Sequence, residues 1–203
     1  MLNVPSVTFG YNYYSDLTIS QASGTQNLND FPLLVNITRD FLRSSANGGH
    51  VVSPNGFDIG FLDNNNQKLN HEIESYDPLT GNIVAWVRIP VLSSSATTTI
   101  RIIYGNPSVT TDQSTDETWI SSYKGVWHLS NNSFTDATSY SNDLVNNGTV
   151  NTTGLIEEGR SFDGNNDNLR SGTTTDFGRN AYNQTISAWA RYAAVPNETQ
   201  NLM

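Results

Sequence analysis

The chain has 203 residues, with 10 Lys and Arg against 19 Asp and Glu, a formal net charge of −9. This balance excludes the clustered basic surface from which nucleic-acid binding draws most of its affinity. Zero cysteines exclude a disulfide framework, and no apolar run approaches the ~18 residues of a membrane-spanning helix. Charged residues make up only 14% of the chain, so Asn, Ser and Thr supply much of the polar surface.

In chain order, the start MLNVPSVTFG has neither the basic nor the apolar region of a secretory leader. Period-2 alternation of apolar and polar residues then dominates as far as Tyr104, in short runs bounded by Asn, Gly and Asp. It predicts strands over about Asn12 to Ile19, Phe31 to Thr38, Asp58 to Leu62, His71 to Tyr76, Ile83 to Ile89 and Thr98 to Tyr104. One helical turn is expected at Asp40 to Ser45, with Asp40 as its N-cap. The turns PNG (Pro54 to Gly56) and DPLTGN (Asp77 to Asn82) place Pro and Gly where tight reversals need fixed or positive φ, and so join antiparallel neighbours.

Between Pro107 and Asp116 the alternation gives way to Gly, Pro, Ser and Thr. The expected division is a β-sandwich over residues 1–110, a linker over 111–122 and a second β unit over 123–203, an all-β antiparallel chain throughout.

Two resemblances follow. From about Tyr11 to Pro107, LNDFPLLVNIT, NGFDIGF, HEIESYD, AWVRIPVL and IIYGNP occur in an order that resembles a bacterial domain family of unknown function, DUF2341. IIYGN stands where that family has a double aromatic. The resemblance implies a setting in bacterial secreted or surface proteins and no particular activity. From Tyr123 to Arg191, YKGVWHLSNN, FTDATSYSNDLVNNGT, GRSFDGNNDNLR and TISAWAR resemble the opening of a laminin G-like, concanavalin A-like jelly roll. That implies strands at YKGVWHL and TISAWAR, and that residues 123–203 hold the N-terminal part of such a domain within a longer protein. An extracellular or cell-surface location is the expectation, which the Asn- and Thr-rich, Lys-poor composition suits.

Two groups of residues have chemistry to offer. Glu72, Glu74 and Tyr76 alternate in HEIESYD, so a regular strand would set them on one face with carboxylates roughly 6–7 Å apart. That spacing is within reach of the acid and nucleophile of a glycosidase, and jelly-roll glycosidases carry a comparable E-x-D-x-x-E strand. Here the middle acid is Glu and the last, Asp77, falls out of register. The pair is therefore read as the polar outer face of an ordinary strand, with substitution to Gln expected to cost little, and catalysis as the rival.

The second group is Asp136, Ser139, Asn142 and Asp143 with Asp163, Asn165 and Asp167, in loops that could bend oxygen ligands around Ca2+. Asp136, Asn142, Asp143, Asp163 and Asp167 are the metal-ligand candidates, in a fold resemblance where calcium is common. The opposing reading is that Asp, Asn and Gly are ordinary turn residues.

Trp86, Trp127 and Trp189 lie in apolar runs and are expected in the core, while Trp119, in the polar stretch TDETWISS, is the candidate for exposure. His50, His71 and His128 show no zinc-ligand spacing and are read as hydrogen-bonded structural residues. These features lead to the expectation of a noncatalytic binding or display module for carbohydrate or a cell-surface polymer. Its rivals are a glycoside hydrolase fragment and a structural spacer. A hydrolase would hold Glu72 and Glu74 in an open cleft, and a binder would present exposed aromatics.

Overall fold

The computed structural model describes residues 8–172 and 183–191. Six of the strands are those the alternation predicts: β1 (Tyr13–Ile19), β2 (Leu28–Thr38), β3 (Ile59–Leu62), β4 (His71–Asp77), β5 (Asn82–Leu92) and β6 (Thr98–Tyr104). They form two three-stranded antiparallel sheets, in the orders β1-β6-β3 and β2-β5-β4. The alternate residues Ile59, Phe61, Ile100 and Ile102 of the first sheet meet Val35, Ile83, Ala85, Val87 and Ile89 of the second in one buried core. An all-β sandwich results because each strand has one apolar face to hide.

The β4–β5 turn behaves as its composition demands. The Asp77 carboxylate accepts from Leu79 N at 2.9 Å and Thr80 Oγ1 at 2.6 Å. Gly81 adopts φ +71°, where a Cβ would stand 2.1 Å from the Arg39 carbonyl oxygen. The expected helical turn is two 3-10 turns, Asp40–Leu42 and Ser45–Asn47. Asp40 is not the cap: Arg39 occupies that position, and Asp40 lies inside the first turn with its carboxylate 2.7 Å from Arg43.

Asp58, fully buried, ties the sandwich together. Its Oδ2 accepts from Val52 N (2.8 Å) and Gly105 N (3.1 Å) and its Oδ1 from Ser53 N (2.8 Å). One carboxylate thus satisfies backbone donors from the loop before β3 and the end of β6, groups that would be costly to bury unpaired.

After β6 come four short strands: β7 (Leu144–Asn147), β8 (Val150–Thr153), β9 (Glu158–Ser161) and β10 (Asn168–Ser171). They pair antiparallel as β8–β9 and β7–β10. The strands expected at YKGVWHL and TISAWAR do not form. Residues 123–129 run without a ladder, because Trp127 folds back on Gly125, where a Cβ would lie 2.3 Å from its ring, and His128 turns onto the second sheet. Residues 185–191 are exposed and unpaired with any described strand, Ile186 and Trp189 each at 80%.

Candidate functional site

The register of β4 against β5 decides where the glutamates go. Glu72 stands opposite Trp86 and Ile73 opposite Ala85, but the next pair is Ser75 with Val84. Glu74 is thus an extra residue, a β-bulge, and it shifts the alternation by one. Glu72 and Glu74 share the outer face with Trp86, whereas Tyr76 pairs with Ile83 and turns into the core, its hydroxyl donating to the Leu42 carbonyl at 2.7 Å. The expected alignment of Tyr76 with the two glutamates is therefore overturned by the bulge.

That outer face is covered. The segment following β6 runs along the free edge of β4, where Thr115 N donates to the His71 carbonyl (3.0 Å) and Ile73 N to Ser114 Oγ (3.0 Å). Covering an edge in this way removes unpaired backbone groups from solvent. Thr115 Oγ1 then caps the 3-10 turn Asp116–Thr118 by accepting from Glu117 N at 3.2 Å, and Arg88 donates to the Glu117 carbonyl at 3.0 Å. The turn delivers Trp119 onto the sheet. Expected as exposed, Trp119 is buried, since its indole meets Trp86 at 5.3 Å between centroids and Tyr123 at 5.4 Å. Trp86, expected in the core, stacks on the opposite face against His128 at 6.1 Å.

Within this aromatic frame the carboxylates are fully engaged. Glu72 Oε2 accepts from Trp119 Nε1 at 2.7 Å, and Glu74 Oε2 from Trp86 Nε1 at 2.9 Å. Ser130 Oγ donates to Glu74 Oε1 at 3.4 Å. His128 sits between the two acids, Nε2 3.3 Å from Glu72 and Nδ1 3.2 Å from Glu74. The Glu74 side chain is 4% exposed, His128 17% and Glu72 21%. Burial works against a charged imidazole, but the two carboxylates outweigh it and push the His128 pKa up to about 9. Burial likewise opposes the Glu74 charge, and His128, Trp86 and Ser130 overcome it, holding that carboxyl below its ordinary value. The result is a half-buried acid–imidazolium–acid group, ion-paired on both sides.

The aspartate loops are built differently from the expectation. Asp136 accepts four hydrogen bonds: Val126 N and Thr138 N on Oδ1, Thr138 Oγ1 and Asn142 N on Oδ2, all at 2.8–2.9 Å. Asp143 accepts from Asp136 N at 2.9 Å, and the fully buried Asn142 donates to the Lys124 carbonyl at 2.7 Å. Asp163 and Asp167 close their own turn, Asp163 N donating to Asp167 at 2.9 Å and Asn165 N to Asp163 at 2.9 Å. The pairing of Leu144 with Ser171 and of Asn147 with Asn168 sets the two loops at opposite ends of β7–β10, roughly 10 Å apart. The structure thus brings Asp136, Asn142 and Asp143 together, and Asp163 with Asp167, but not the two sets. Among the described residues, no group of three or more His, Cys, Asp or Glu is placed to hold a metal ion.

Of the other histidines, His71 is buried with Nδ1 3.3 Å from the Leu69 carbonyl, burial pushing its pKa down. His50 stacks on Tyr13 at 4.2 Å. On the flank of the first sheet, Asp16, Asp63, Asn64, Asn66 and Arg101 line an open polar cleft of about 210 Å³. Arg101 is held there by Asp16 at 2.8 Å and lies 4.0 Å over the Tyr14 ring.

Comparison with known proteins gives one family. Residues 55–147 match the family described as "Domain of unknown function (DUF2341)". The matched segment begins in the turn before β3, includes the glutamates of β4 and the whole covering segment with Trp119 and His128, and ends with β7. It therefore starts later than the resemblance read from about Tyr11 and runs on past Pro107. The laminin G-like resemblance has no family match of its own, and neither the curated proteins nor the solved structures give a match. Among the described residues no helix is long and apolar enough to cross a membrane.

Proposed function

We propose that the chain is a noncatalytic binding or display module for carbohydrate or a cell-surface polymer, carried by a larger secreted or surface protein. The observation that supports it is the state of the alternating carboxylates. Glu72 and Glu74 accept from two indoles, an imidazole and a hydroxyl beneath Trp119, so neither faces an open cleft as a glycosidase acid or nucleophile must. The ligand-facing surface is the cleft of Asp16, Asp63, Asn64, Asn66 and Arg101, whose carboxylates, amides and guanidinium suit a polyhydroxylated ring. At about 210 Å³ it lies below the ~300–1,000 Å³ of sites that enclose a drug-sized ligand. It accommodates one unit of a longer polymer. The second β unit, on its laminin G-like resemblance, extends the display surface.

A glycan-array screen, run with millimolar calcium and with chelator, tests this. Binding to at least one polysaccharide is expected, weakened tenfold or more by Asn64→Ala at unchanged melting temperature. No binding under either condition favours a spacer. Hydrolysis of a β-glucan, lost in Glu72→Gln or Glu74→Gln, would overturn the noncatalytic reading. Calcium-dependent binding lost in Asp136→Ala would assign the loop aspartates to an ion.

A further inference from the structure

We infer that Glu72, His128 and Glu74 form a proton-dependent clasp that locks the segment from Ser114 to Ser130 onto the outer face of the β2-β5-β4 sheet. The two acids lie on β4 and the imidazole 54 and 56 residues further along, so the contact joins elements that no local ladder connects. With the imidazole charged, the group carries one positive charge between two negative ones, its Nε2 3.3 Å from Glu72 and its Nδ1 3.2 Å from Glu74. Remove that proton and two carboxylates face each other across a neutral ring that can donate from only one nitrogen. The sheet beneath is not built to be wet: Val84, on the outer face beside Trp86, is fully buried.

The groups facing His128 are Glu72 and Glu74 of β4, Trp86 of β5 and Trp119 of the segment itself; behind them Tyr123 packs on Trp119 and Ser130 donates to Glu74. Tyr123, the other titratable group here, is pushed above its ordinary value by burial and stays neutral while His128 titrates. A raised histidine pKa stabilises the fold fully below the free value of about 6.5 and loses that contribution as pH rises through the folded value, here about 9. Glu74, held low, adds stability above the ordinary glutamate value and loses it as pH falls through its own folded value. The clasp is closed between these limits and opens on either side.

The test is an NMR titration of the three histidines in the unaltered chain, paired with urea unfolding from pH 6 to 10 of that chain and of His128→Gln. One imidazole is expected to titrate near pH 9. The unfolding equilibrium constant of the unaltered chain should rise on the order of 100-fold across that range, with Trp fluorescence reporting release of Trp86 and Trp119. His128→Gln, less stable at pH 6, should show little of this alkaline change. An imidazole set titrating entirely at or below pH 6.5 would overturn the inference, as would equal alkaline slopes in the two proteins. The titration of the unaltered chain decides the matter even if the variant fails to fold. Failure of glycan binding leaves the clasp untouched, since the cleft lies on the other sheet.

Discussion

Asp58→Ala is expected to destabilise the chain by about 4 kcal/mol or more, enough to unfold a domain of ordinary stability. The carboxylate has no solvent exposure and accepts from Val52 N, Ser53 N and Gly105 N. Its loss strands three backbone donors at once, two of them in buried bonds. Asp58→Asn keeps the shape but replaces one acceptor oxygen with a donor aimed at backbone N–H, so it should also be severe. Urea unfolding followed by far-UV circular dichroism measures both. A loss under 1 kcal/mol for Asp58→Ala would mean the loop can re-satisfy those groups with water, and that the sandwich closes without this residue.

The second large effect is at Glu74. Read as an outer-face residue of a regular strand, it should tolerate substitution. In the structure it is 4% exposed and accepts from Trp86 and His128. Glu74→Ala leaves a half-buried imidazolium with one partner and an indole with none, a loss of about 3–5 kcal/mol. Glu72→Ala should cost less, about 1–2 kcal/mol, because Glu72 is 21% exposed and water can replace it. The order of the two variants in chemical denaturation checks the argument. Equal, small effects would return the pair to the status of surface residues.

How much of this was legible in the sequence follows from the range of the interactions. The six strands of the sandwich were readable, since alternation of apolar residues is local and the turns PNG and DPLTGN carry their own φ requirements. The phase of β4 beyond Glu74 was not. A bulge adds a residue without altering the local pattern, so Tyr76 was placed on the wrong face. The burial of Trp119 and the place of Trp86 on the outer face rather than in the core were hidden for a related reason: the polar stretch around Trp119 packs on a sheet more than 30 positions earlier, and only that packing decides its burial. His128 carried no signal of its own. Its role depends on acids on β4, and a histidine in an aromatic run does not announce such a partner. Asp58 opened a predicted strand, yet its three acceptor contacts, which fix the sandwich ends, involve residues on both sides of the chain. The loop aspartates offer a metal-ligand reading and a turn-residue reading in the sequence alike, and the β7–β10 register that sets their two loops at opposite ends could not be read from spacing.

Hydrogen exchange at the tryptophan indoles tests most directly whether Glu72 and Glu74 are engaged acceptors rather than open catalytic acids. Trp86 Nε1 and Trp119 Nε1 donate to them at 2.9 and 2.7 Å, while Trp189, 80% exposed, serves as an internal reference. The account predicts that the first two protons exchange orders of magnitude more slowly than the third, by openings approaching global unfolding. Exchange of Trp86 and Trp119 at the rate of Trp189 would contradict it, leaving two accessible carboxylates on one strand face, the arrangement a glycosidase would need.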